Sequence, residues 1–168
     1  MIGEDRAGIS RTWPHRPHRV TLGNMTGDHL PKIVVGADGS ERSIEALRWA
    51  ADYARNVEGR LHIITGYTVP YTILVVPTYT QSDYRRDAEE VLNSTILATG
   101  DALDGIDFHA HAIETRPALA LLNAAHDADL VVIGSHGFGG FPGMHLGSTA
   151  SFMVHHSPCP VVICRGTD

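Results

Sequence analysis

From position 31 onward the apolar positions follow two rhythms. Short runs of β-branched residues alternate with longer segments in which apolar side chains return every three or four positions. Residues 32–38 (KIVVGAD) form such a run, closed by glycine and aspartate, and predict a strand buried on both faces. Ser40 then suits the N-cap of a helix running to about Val57, with Ile44, Leu47, Ala51 and Ala54 on one face and Gly59 as its stop. Residues 60–67 (RLHIITGY) predict a second strand. Residues 69–80 carry two prolines and predict an irregular excursion, after which residues 83–99 place Tyr84, Ala88, Val91, Leu92 and Ile96 at helical spacing. Residues 106–114 (IDFHAHAIE) alternate apolar with polar, as a strand with one less buried face would. Pro117 fits the first turn of a helix reaching about His126. Residues 129–134 (DLVVIG) predict the fourth strand, 147–156 the last helix and 160–165 (PVVICR) the fifth strand.

Every interval between strands is long enough for a crossover, so the pattern predicts a single-domain α/β fold: an open parallel five-stranded sheet, Rossmann-like, with helices on both faces. A chain of 168 residues supports one such core, assigned to residues 30–166. Residues 1–29 contain SRTWPHRPHR and no apolar periodicity; they bury too little surface to offset their ordering entropy and are expected to be a disordered tail, with Met25 as an alternative start. The formal net charge of -6 gives no general attraction to nucleic acid or an anionic membrane. No stretch approaches the roughly 20 apolar residues of a membrane helix, and the N-terminus lacks a secretory apolar core, so a cytoplasmic location is expected. Cys159 and Cys164, five apart in the expected last strand, would face opposite sides of the sheet and remain reduced thiols.

The candidate chemistry follows the fourth strand. Residues 134–151 (GSHGFGGFPGMHLGSTAS) are rich in glycine, and residues 134–148 contain neither lysine nor arginine. Glycines let backbone N–H groups approach a ligand closely, and a helix N-terminus adds unpaired donors and about half a positive charge. Together they form an anion site whose donors would be backbone amides, the Ser148 and Thr149 hydroxyls, and His136 or His145. There is no Gly-x-Ser-x-Gly elbow, no Walker pattern, and no Gly-x-Gly-x-x-Gly after the first strand. A phosphorelay receiver would need clustered acids, but Asp38 stands alone and Lys32 is the only lysine. His109 and His111 share a strand face and read as solvated, because zinc would need further ligands that no motif supplies.

Gly134-x2-Gly137-x9-Gly147-Ser148 after an apolar strand, together with IVVGADGS at 33–40, resembles the universal stress protein family over residues 31–166. The resemblance implies an adenine nucleotide alpha hydrolase-like fold and ATP, with or without Mg2+, as the bound cofactor. By motif position Asp38 would face the ribose, and Gly134, Gly137, Gly147 and Ser148 the phosphates, with Ile133 and Thr149 flanking. Gly36, Ala37, Thr65 and Gly66 would line the adenine side, and His136 would stand among the phosphate donors. A basic residue often follows the second glycine in the family; Phe138 stands there instead, which implies weaker phosphate affinity or a preference for fewer phosphates. Absence of a positioned base or paired carboxylates argues for binding and signalling rather than efficient hydrolysis. Two alternatives remain open: an enzyme acting at the ATP α-phosphate, whose Ser-Gly-Gly-x-Asp-Ser signature GADGSERS partly echoes, and a protein-interaction module with an empty cleft. The apolar final strand predicts an exposed edge, and the resemblance points to a homodimer through it.

Overall fold

A computed structural model of the chain describes residues 30–70, 80–138 and 146–166. The expected tail and alternative start, positions 71–79 of the excursion, and the spacer at 139–145 with His145 lie outside the described residues. The elements are β1 (Lys32–Gly36), α1 (Glu41–Val57), β2 (Arg60–Tyr67), α2 (Gln81–Thr99), β3 (Phe108–Glu114), α3 (Pro117–Ala125), β4 (Leu130–Gly134), α4 (Ser148–His156) and β5 (Val161–Cys164), with a 3-10 turn at Gly100–Leu103. All strands are parallel, in the order β3-β2-β1-β4-β5.

β1 is central, with Val35 beside Ile63 on one flank and Val132 on the other. Because strand side chains alternate, Ile33, Val35, Leu61, Ile63 and Val132 pack against α1 and α2, while Val34, Ile64, Val131 and Ile133 meet α3 and α4. Both faces are therefore covered, as the unbroken β-branched runs require.

Local details depart from the periodicity in instructive ways. The buried stripe of α1 runs through Ser43, Ala46, Leu47, Ala50, Ala51 and Ala54. Ile44 is only half-buried. Small alanines let the helix lie close to the sheet and to α2, so the packed face is set by size as well as hydropathy. α1 ends at Glu58, which itself takes the left-handed conformation with φ 54°. Gly59 is needed for space instead, since a Cβ there would stand 2.8 Å from the Pro31 carbonyl oxygen. α2 starts two residues before its expected first residue, because Thr80 and Asp83 form a capping box in which the Asp83 carboxylate accepts the Thr80 N–H at 2.8 Å. Cys159 precedes β5 rather than lying in it, though it still packs toward α3 and α4 while Cys164 packs toward α1.

Candidate functional site

The chain runs outward from β1 through β2 to β3, then crosses to β4 and β5 on the other side, so the carboxyl ends of β1 and β4 diverge at the switch in winding direction. A cavity of about 600 Å³ opens there. Its wall gathers all eleven residues singled out from the sequence: Gly36, Ala37, Asp38, Gly66, Ile133, Gly134, His136, Gly137, Gly147, Ser148 and Thr149.

The end of β1 is held from β2. The Ala37 N–H donates to the Ile64 carbonyl at 2.9 Å, and the buried Thr65 hydroxyl donates to the Ala37 carbonyl at 2.7 Å. Thr65 thus braces the wall rather than lining it. Gly36 lets β4 and α3 close in, for a Cβ would sit 3.1 Å from the Ile133 Cγ2 and 3.2 Å from the Leu121 Cδ1. Asp38 is oriented by the start of α1: its Oδ1 accepts the Ser40 N–H at 3.0 Å and the Ser40 hydroxyl at 2.5 Å. Its Oδ2 faces Gly137 so closely that any Cβ at that glycine would overlap it.

The end of β4 is tied on two sides. The buried Ser135 donates its N–H to the Cys164 carbonyl at 2.8 Å, and its own carbonyl accepts the Gly147 N–H at 2.7 Å. That second bond corrects one expectation. The Gly147 amide is engaged within the protein, and Gly147 serves by letting α4 start against His136 and Ser135, whose Cα and carbonyl oxygen would be 3.3 and 3.4 Å from a Cβ. Gly134 is likewise pressed by the Arg42 backbone, 2.9 Å from its would-be Cβ, and Gly66 by the Pro117 Cα at 2.6 Å. These glycines bring chain segments together around the cavity as much as they admit anything into it.

The donors lie at α4. Its first helical bond runs from the Ser151 N–H to the Gly147 carbonyl at 2.8 Å, which leaves Ser148, Thr149 and Ala150 N–H groups without an acceptor among the described residues. Gly147 offers no side chain to cap them. The His136 Nδ1 lies 3.2 Å from the Ser135 hydroxyl, while its Nε2 is buried with no partner among the described residues. A buried orphan polar atom costs on the order of 1–3 kcal/mol unless something meets it. Phe138 extends from the same loop with 79% of its surface exposed, its ring edge toward Gly39.

Among the described residues no lysine or arginine lines the cavity. Arg42, whose backbone touches Gly134, runs its side chain beside Gly166 and does not line the cavity. The sequence patterns missed Ser43, Ile64, Pro117, Leu121 and Leu146 on the wall. Ser43 was legible in principle as the residue three beyond an N-cap serine; Ile64, Pro117 and Leu121 belong to elements whose approach no local motif encodes, and Leu146 lies two residues before α4. Away from the cavity, β2 adds His62 to His109 and His111, with ring centroids 5.3 and 6.5 Å away. No group of three or more His, Cys, Asp or Glu is arranged to hold a metal among the described residues, and no helix among them is long and apolar enough to cross a membrane.

Comparison with known proteins yields a consistent result. The model of the Universal stress protein family matches residues 29–165. A universal stress protein of Mycobacterium tuberculosis is 33% identical over 141 residues, covering 82% of this chain and 44% of the relative. One from Mycolicibacterium smegmatis is 29% identical over 144 residues, covering 81% and 48%. The chain therefore spans about half the length of these relatives or less. Among solved structures, a universal stress protein in complex with cAMP aligns with a TM-score of 0.64 at 24% identity, covering 82% of this chain and 98% of that one. A universal stress protein from Archaeoglobus fulgidus in complex with dAMP aligns at 0.58 and 21%, covering 81% and 98%. At such identities the likeness establishes the shared fold.

Proposed function

Since the chain belongs to the universal stress protein family, we propose that it binds an adenine nucleotide, ATP included, between β1 and β4 and signals through occupancy of that cavity. The observation that carries this reading is the meeting of four separated chain segments around one cavity, with the unpaired amides of α4 on one side and Asp38 on the other. The Ser148, Thr149 and Ala150 N–H groups, with the two hydroxyls and the His136 Nε2, would receive a phosphate. Asp38, already aimed by Ser40, would accept a ribose hydroxyl. Gly36, Ala37 and Gly66 would flank the base, with Ile133 as apolar floor. Relatives of the same fold solved with cAMP and dAMP support an adenine nucleotide as occupant.

The residues present fit the nucleotide, because the orphan His136 Nε2 and the α4 amides call for an anionic acceptor. They offer Mg2+ a single carboxylate, Asp38, so a magnesium ion would be held chiefly by phosphate oxygens. Catalysis is not proposed: Asp38 has its Oδ1 held by Ser40 and its Oδ2 left for the ribose, and among the described residues no second carboxylate lines the cavity to position water. A cytoplasmic setting suits such a sensor. β5 forms one edge of the sheet with half-buried Val161–Cys164, and we place a homodimer contact there. Mass analysis of purified protein released by denaturation is expected to show a co-purifying adenine nucleotide, and calorimetric titration of stripped protein to show one site per chain. Absence of both signals overturns the reading.

A further inference from the structure

We infer that the phosphate side of this cavity is built for one phosphate, and that Phe138 sets a preference for adenosine monophosphates over ATP. The inference rests on the adenine-nucleotide reading above and narrows it. A single phosphate matches what α4 supplies: three first-turn N–H groups, two hydroxyls and the partial positive charge of one helix terminus. Each further phosphate brings another negative charge, and the described wall has nothing to meet it. Among the described residues no lysine or arginine lines the cavity, Asp38 adds a charge of the wrong sign, and the side chain of Arg42 runs beside Gly166, outside the cavity wall. The chain linking Phe138 to Leu146 contains no lysine or arginine in its sequence.

The extra phosphates would leave the first one toward the cavity mouth, where Phe138 stands. It follows Gly137 directly, lines the cavity and exposes 79% of its surface. A phenyl ring offers no hydrogen-bond donor, and its face is the negative end of a quadrupole, so a phosphate placed against it loses water and gains nothing. The ring edge packs beside Gly39, whose φ of +84° keeps that turn free of a side chain.

The test is calorimetric titration of the full stripped chain with AMP, cyclic AMP and ATP in buffer containing EDTA, so that protein groups alone meet the charge. AMP is expected to bind about tenfold more tightly than ATP. In F138R the ATP affinity should rise about tenfold while that for AMP changes little. L97R, which adds the same charge at a position 80% exposed on α2, should leave the ratio as it was. Phe138 is largely exposed, so F138R is expected to fold, and its thermal melt checks this. Equal affinities for AMP and ATP in the native chain, or an unchanged ratio in F138R, overturn the inference while leaving nucleotide binding intact. Failure of all three ligands to bind overturns the site itself, and this preference with it.

Discussion

The two ends of the sheet are built from opposite materials. Where the strands enter, charges cluster and are neutralised on the spot: Lys32 Nζ meets Asp127 at 2.6 Å, and Arg60 meets Asp107 at 2.6 Å. Asp129 closes a reciprocal pair with Lys32, its carboxylate accepting the Lys32 N–H at 2.8 Å and its own N–H donating to the Lys32 carbonyl at 2.9 Å. Around the cavity where β1 and β4 leave, no lysine or arginine lines the wall, and first-turn amides and one imidazole nitrogen lack partners, among the described residues. A fold that satisfies its polar groups at one end and leaves them open at the other indicates which end is for itself and which is for a ligand.

Glycines give the strongest way to break that comparison. At the exit end, a valine at Gly137 would drive into the Asp38 carboxylate, so Gly137→Val is expected to cost nucleotide binding about a hundredfold or more, about 3 kcal/mol, while the fold survives. The cause is displacement of Asp38 as well as loss of phosphate space. At the entry end, a methyl group at Gly59 meets the Pro31 carbonyl oxygen at 2.8 Å and the end of the buried Ile33 side chain. Gly59→Ala should lower stability by about 1–3 kcal/mol, read by denaturant melts, with nucleotide affinity unchanged. If Gly59→Ala also abolished binding in the folded protein, the separation of roles between the ends would fail.

Aspartates repeat the contrast with smaller effects. Asp38→Ala is expected to weaken nucleotide binding by about 1–3 kcal/mol. Asp38→Asn keeps an oxygen for Ser40 and should retain the turn, so it isolates the lost charge from lost geometry. Asp129→Ala should leave affinity alone and reduce stability by about 1 kcal/mol, because only one exposed backbone hydrogen bond is lost. Calorimetry and thermal melts on the three variants read both quantities.

The sequence made the strands and helices legible because each element has both faces or one stripe buried, which periodicity records. It also made both halves of the cavity wall legible, since Asp38 and the spaced glycines sit at strand ends where an open parallel sheet must bind. What it could not show was what lies opposite each residue. Gly59, Gly66 and Gly134 look alike in sequence, yet each is required by a different neighbour: the Pro31 carbonyl, Pro117 and the Arg42 backbone. Pro117 and Leu121 reach the wall through the approach of α3, a tertiary fact without a local motif. His62 escaped notice for the same reason, since only strand register brings it beside His109.

That histidine group supplies the smallest and most discriminating test. The His62 pKa is lowered from its ordinary value, first by burial and then by Lys32, His109, His111 and Arg60 nearby. Protonating it is therefore harder in the folded chain than in the unfolded one, so below about pH 6.5 the unfolded state binds more protons and stability falls as the pH falls. The melting temperature should drop as pH is lowered from 7 toward 5. His62→Asn should remove much of that slope, and His109→Asn with His111→Asn a lesser part, because burial is the larger cause. Added salt should shrink the contribution of the neighbours and leave that of burial. Nucleotide affinity at the far end should keep the pH dependence of the native chain in every one of these variants. A His62 substitution that shifted that binding profile would show the two ends to be coupled, and the sheet to be more than a spacer between them.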